Sequence, residues 1–118
     1  MEGASDPSGG EVLAEISDGL VALHRRYYGK GPTAAKTYEI DDTIVCILRD
    51  GFTTVEATLI AEGRENVVRE MRTHFQGAMR QEFRDVVESA TGREVIAYLS
   101  QVHIDPDMAV EVFTLGPG

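Results

Sequence analysis

The longest periodic pattern in the chain decides most of its fold. Val68, Met71, Phe75, Met79, Phe83, Val86 and Ala90 recur at spacings of three and four. That spacing places them on one helical face and predicts a helix over 64–90, about seven turns at ~3.6 residues per turn. Gly92 in "ATGRE" follows it as a left-handed stop. The Met and Phe residues of the stripe read as core packing rather than as a cofactor box, and Arg84 and Glu88 are spaced to pair on the outer side. A helix of this length with one apolar face has to be covered along that face.

The segments around it have the alternation of strands. Residues 36–40 and 43–49 form a predicted hairpin about Asp41-Asp42, a good turn pair. Residues 94–103 and 108–115 form a second. In the first hairpin, Ile44, Cys46 and Leu48 face one way, and Val45 and Ile47 face the other. A strand apolar on both sides is usually central and covered twice. In the second hairpin Val95, Ala97 and Leu99 are read on one face and Ile96, Tyr98 and Val102 on the other, while Val110 and Val112 oppose Phe113 and Leu115. One layer of helices covers only one face, so a second subunit is expected over the other.

Two more helices complete the order. Leu13, Ile16, Leu20, Leu23 and Tyr27 form a helical stripe over 11–28, with Ser8 or Gly10 as N-cap. This is a core helix, or alternatively one that pairs with a second subunit. After the Asp50-Gly51 turn, Thr53 or Thr54 caps a short helix reaching about Glu62, with Glu56 in its first turn. The expected fold class is α+β in the order α-β-β-α-α-β-β. It is a two-layer sandwich with a four-stranded antiparallel sheet from two hairpins and helices on one face. The sequence leaves the pairing order of the hairpins open. Residues 1–10 read as a mobile tail, and 11–116 as a single domain.

Charge narrows the partners. Twenty acidic against 11 basic residues in a chain of 118 give a net charge of -9. An acidic protein of this kind is repelled by nucleic acid and by anionic membrane surfaces. No apolar run approaches the ~20 residues of a membrane helix, so no direct membrane insertion is expected. The start, "MEGASDPSGGE", lacks the basic and apolar regions of a signal peptide. The expected location is the cytoplasm, peripheral to the membrane only through a partner. The lone Cys46 sits in an apolar strand and reads as a small buried residue.

Two motifs invite a functional reading. In "YYGKGPT", residues 27–33, glycines flank a lysine as in a phosphate loop. The glycines, however, follow a helix instead of preceding one, and position 24 of the P-loop pattern is His24 rather than glycine. Gly29 and Pro32 therefore read as a helix stop. His24, Arg25, Arg26 and Lys30 complement the negative end of that helix, with a weak anion site as the alternative. In "HIDPD", His103, Asp105 and Asp107 share an i, i+2, i+4 spacing that suits a divalent metal, but D-P-D is also good turn chemistry. Tyr28, Lys30, His103, Asp105 and Asp107 are the candidate ligand-binding residues. No zinc, nucleophile-elbow or paired-acid motif selects a reaction, so no enzyme activity and no cofactor is expected.

Three segments carry a family resemblance. They are "ISDGLVALHRRYYGKGPTAAKTYEIDDTIVCIL" from Ile16, "DGFTTVEATLIAEGRENVVREMRTHFQ" from Asp50, and "TGREVIAYLSQVHIDPDMAVEVFTL" from Thr91. Over about 11–115 the chain resembles the MpsC-type family, a bacterial domain family of unknown function. The family is named for the third component of a sodium-translocating, membrane-potential-generating system. The resemblance implies a small accessory protein, with a membrane partner of antiporter-like type. It assigns Tyr28, Gly29, Gly31, Pro32, His103, Asp105, Pro106 and Asp107 to family motifs and assigns no catalytic residue. Three functions are weighed on this basis: an accessory module acting as a homodimer, a small-ligand or divalent-metal-binding domain, and a hydrolase or transferase with an unfamiliar site.

Overall fold

A computed structural model describes residues 7–117. The elements are α1 (Pro7–Tyr28), β1 (Ala34–Ile40), β2 (Thr43–Arg49), α2 (Thr54–Ala61), α3 (Glu65–Thr91), β3 (Val95–His103) and β4 (Met108–Leu115). This is the expected α-β-β-α-α-β-β order. One boundary moves. The first helix begins at Pro7, so Ser8 and Gly10 lie within it rather than capping it. Proline suits a first helical position because its missing N–H would have no partner there. Of the tail expected over 1–10, residues 7–10 are thus helical and 1–6 lie outside the described residues.

The sheet order is β1-β2-β4-β3, all neighbours antiparallel. The two hairpins join through β2 and β4, the strands with apolar residues on both sides. In the first hairpin Asp41 takes the left-handed conformation at φ 54, which aspartate tolerates better than most residues. In β3 the register slips between Val95 and Ala97. This bulge places Val95 and Tyr98 together in the core and turns Ala97 and Leu99 outward. The alternation expected for this strand therefore holds only beyond the bulge.

Helices α1 and α3 pack on one face of the sheet and on each other, and α2 packs on α3. The core between the layers contains Ile16, Leu20, Ile44, Leu48, Met79, Phe83, Val87 and Phe113. Where α1 crosses α3, a Cβ on Gly19 would lie 2.7 Å from a Val86 methyl, so the helices approach more closely than alanine permits. Arg84 and Glu88 do not pair on the outside of α3 as expected. Arg84 Nη2 donates to the Val95 carbonyl at 2.6 Å, and Glu88 Oε2 accepts from the Val95 N–H at 2.8 Å. Both fasten α3 to the start of β3, satisfying backbone groups next to the bulge.

Candidate functional site

At the end of the sheet near Arg49, the turn after α1, the loop after β2, α3 and the β3–β4 connection converge. Gly29 ends α1 in the left-handed conformation at φ 78, and its N–H donates to the Arg25 carbonyl at 3.0 Å. The helix-stop reading of "YYGKGPT" is therefore borne out. The freed chain carries Lys30 across to the 50–53 loop, where Nζ donates to the Phe52 carbonyl at 2.9 Å. From the other side Asp107 Oδ2 accepts the Phe52 N–H at 3.0 Å, and the Asp107 carbonyl accepts the Asp50 N–H at 3.1 Å. Two of the candidate site residues thus hold opposite ends of one peptide segment.

Behind this loop lies a buried ion pair. Thr53 caps α2, and the reciprocal bonds between Thr53 and Glu56 form the capping box. The Glu56 carboxylate, 0% exposed, also receives Arg72 Nε and Nη2, each at 2.6 Å. Arg72 Nη2 donates further to the Gly51 carbonyl at 3.1 Å. Its guanidinium lies 3.8 Å from the centre of the Tyr28 ring and 5.2 Å from that of Phe52, a cation–π stack on two sides. Burial pushes the Glu56 carboxyl up, but the Arg72 and Thr53 bonds outweigh it and hold the group below its ordinary range. Burial likewise pushes the Tyr28 hydroxyl up to about 12, so it stays protonated.

Next to this pair, His24, Pro32, Phe52, Arg72 and Asp107 line a cavity of about 10 Å³, room for about one water molecule. His24 Nδ1 bonds the Leu20 carbonyl at 2.8 Å, and burial lowers its pKa. The ring is therefore neutral, with the proton on Nδ1. The remaining two candidates do not reach this cluster. His103 Nδ1 donates to the Pro106 carbonyl at 2.9 Å within its own turn, and Asp105 is exposed there. The turn reading of "HIDPD" accounts for both. Among the described residues, no three His, Cys, Asp or Glu side chains gather closely enough to hold a metal ion.

A second polar cluster lies within the core. Thr37, Cys46, Glu111 and Ser100 are successive partners across all four strands, in one row on the helix-covered face. The Ser17 and Thr37 hydroxyls are hydrogen-bonded at 2.7 Å. At the other end, the Glu111 carboxylate accepts from the Tyr98 hydroxyl and, at 2.9 Å, from the Ser100 hydroxyl. The Tyr98 ring stacks on Phe113 at 4.6 Å, and the Arg80 guanidinium lies 4.9 Å from its centre. Glu111 is 1% exposed, and burial is the main reason its carboxyl is pushed up to about 7. Burial also pushes the Cys46 thiol up to about 11, which makes it unreactive.

These features define a class: a two-layer α+β domain with two buried hydrogen-bonded acid clusters, and one apolar sheet face that the other described residues leave uncovered. The chain belongs to the MpsC family, matching over residues 8–116 the family described as Na+-translocating membrane potential-generating system (MpsC). No curated protein and no solved structure matches it. Membership points to a role in that sodium-translocating system. No helix among the described residues is long and apolar enough to cross a membrane.

Proposed function

We propose that the chain is a cytoplasmic, non-enzymatic accessory or regulatory component of a sodium-translocating, membrane-potential-generating system. It works through protein–protein contacts, as a homodimer, on a membrane subunit of antiporter-like type. The observation that supports this reading is the open apolar side of the sheet, where Tyr38 is 42% and Leu99 69% exposed. Apolar area of that kind marks a contact surface. The test is affinity capture of the tagged chain from gently solubilised membranes of its native host. Recovery of antiporter-like membrane subunits is the expected result. Recovery without any membrane subunit overturns the membrane-system role.

The alternative reading is a small-ligand or divalent-metal site built from segments 28–32 and 103–107. Its support is that Lys30 and Asp107 meet at Phe52, whose ring, like that of Tyr28, faces Arg72. Against it, Lys30 and Asp107 are already bonded to that residue's backbone. A ligand bound to the native state must raise its stability. Thermal unfolding with a panel of divalent ions and anionic metabolites is therefore expected to show no shift, and a rise would reinstate the site.

A further inference from the structure

The open face of the sheet has a charge pattern unlike the rest of the molecule. Its outward positions are every second residue of Ala34–Ile40, Thr43–Arg49, 97–103 and 108–114. None is Asp or Glu, although the chain carries 20 acidic residues. Tyr38, Val45, Val112 and Leu99 form one row across all four strands, with Ile47 and Val110 central in the next. Lys36 and Arg49 lie toward one end of the face. The exposed Asp41-Asp42 turn borders the opposite end.

We propose that this face is the dimer interface, covered by the same face of a second copy with the two sets of strands running antiparallel. This rests on the reading that the chain works through protein contacts, and it names the surface and the occupant. The first reason is electrostatic. Two chains of net charge -9 repel each other except where acidic groups are absent, and this face meets that condition. A strongly basic partner would be drawn instead to the acidic surfaces.

The second reason is complementarity under a two-fold axis. An isologous contact sets each position against its symmetry mate. A two-fold axis in the plane of the sheet and across the strands superposes each strand on its own copy, reversed end for end. Arg49 then lies over the partner's Thr43, beside the partner's Asp41-Asp42 turn, and Lys36 over the partner's Tyr38. Asp42 is held by Arg93 of its own chain at 2.9 Å, so Asp41 is the acid that meets Arg49. An axis along the strands would instead set Arg49 over methionine and Lys36 over glutamine, leaving both cations without a partner.

The third reason is size. Four strands paired over seven-residue registers span about 19 by 23 Å, from ~4.8 Å between strands and ~3.3 Å per residue. That footprint, roughly 440 Å² per copy before the relief of the side chains is added, approaches the roughly 500 Å² per partner of a small specific interface. Two sheets stacked in this way pack about 10 Å apart with interdigitated side chains.

Sedimentation of the purified full chain at micromolar concentration tests the proposal. Wild-type protein is expected to sediment as a dimer. Leu99→Glu and Tyr38→Glu, both at positions exposed in the single chain, are expected to weaken association at least about tenfold with unchanged circular dichroism. Val55→Glu, on the outer side of α2 and 68% exposed, serves as the control and is expected to leave the dimer intact. Arg49→Glu is expected to weaken association by about two- to fivefold at low salt. A monomeric wild type overturns the proposal. So does a dimer that survives both sheet-face substitutions or dissociates with Val55→Glu. An unchanged Arg49→Glu dimer overturns the antiparallel crossing. A monomer that still captures membrane subunits removes this interface and keeps the accessory role. A dimer broken by Leu99→Glu that captures none does the reverse.

Discussion

Glu56 and Glu111 are the same residue with almost no exposed surface, 0% and 1%, Glu111 lying deeper in the core than Glu56, and the fold treats them in opposite ways. Glu56 faces a guanidinium that delivers two hydrogen bonds in a planar fork, the geometry arginine offers a carboxylate. Glu111 faces only hydroxyl donors, from Tyr98 and Ser100. A countercharge offsets the desolvation of Glu56, whereas neutral donors offset it only partly for Glu111. One carboxyl is therefore held below its ordinary pKa and the other is raised to about 7. Lack of exposed surface does not by itself set the charge state of a core acid; its depth and the charge of its donors act together. Glu56 is a permanent ion that locks α2, α3 and the 50–53 loop together. Glu111 takes up or releases a proton near neutrality.

The largest effect expected comes from breaking the charged member of the comparison. Arg72→Met leaves the Glu56 carboxylate buried without its countercharge and removes the cation from the Tyr28 ring. A loss of about 3–5 kcal/mol is expected in urea unfolding. Combining it with Glu56→Leu is expected to recover much of that loss, because an apolar pair of similar volume carries no desolvation cost. A double variant no better than Arg72→Met alone would show that the cation's stacking and its Gly51 bond, rather than the ion pair, carry the stability.

The neutral member is expected to appear as a pH slope. A carboxyl whose folded pKa of about 7 stands above an unfolded value near 4.5 binds more protons in the native state than in the unfolded one. Stability from this group is complete below pH 4.5, falls as pH rises toward 7, and is level above that. At ~1.4 kcal/mol per pH unit the window amounts to roughly 3 kcal/mol. Glu111→Gln is expected to remove this fall toward pH 7 and to be more stable than wild type at pH 8. Glu56 slopes the other way. Its depressed pKa gives stability that is present above its unfolded value and lost as pH falls through the folded one. Unfolding free energies from pH 4 to 8 separate this fall from the opposite slopes of Glu56 and of His24, whose pKa burial lowers, and a fall toward pH 7 that survives Glu111→Gln would show that another group with a raised pKa titrates there.

The sequence revealed these two acids unequally, and the reason is the range of their partners. Thr53 and Glu56 are three residues apart in one turn, so a threonine cap with Glu56 in the first turn was legible, though not which of Thr53 and Thr54 caps. The helix stops at Gly29 and Gly92, both hairpins and the double-sided strand β2 were legible for the same reason, since each depends on neighbours in the chain. Arg72 stands four residues after Val68 on the buried face of α3, but the apolar stripe was read through Met71 and Phe75. A charge at the stripe's edge is placed outward unless its acid is known, and that acid is 16 residues away. Glu111 alternates with Phe113 and Leu115 and so shares their face, but both faces of this strand are apolar and alternation does not say which is inward. The Glu111 donors lie on a neighbouring strand 11 and 13 residues away, beyond a bulge that alternation does not foresee. Of the candidate ligand residues, Lys30 and Asp107 did meet, at Phe52, whose ring, like that of Tyr28, faces Arg72. What the motifs could not say is that Lys30 and Asp107 close a loop, because the Phe52 backbone they bind carries no sequence signal of its own.

The smallest effect is expected from weakening the neutral cluster without destroying it. Tyr98→Phe removes one hydroxyl donor from Glu111 and keeps the ring stacked on Phe113. The lost bond is worth about 1.5–3 kcal/mol where the carboxyl is ionised. It is worth less where the carboxyl is protonated, since the acid then needs less from its donors. The Tyr98 bond lowers the Glu111 pKa, so its removal is expected to move the Glu111 midpoint upward. Part of the damage is then absorbed by proton uptake, and the variant is expected to lose more stability at pH 8 than at pH 5. Equal losses at both values would mean that the tyrosine hydroxyl contributes to packing alone and that the Glu111 proton is indifferent to it. Glu56 has no comparable refuge near neutrality, because its ordinary pKa lies well below that range and its fold-determining bonds exist only in the ionised form.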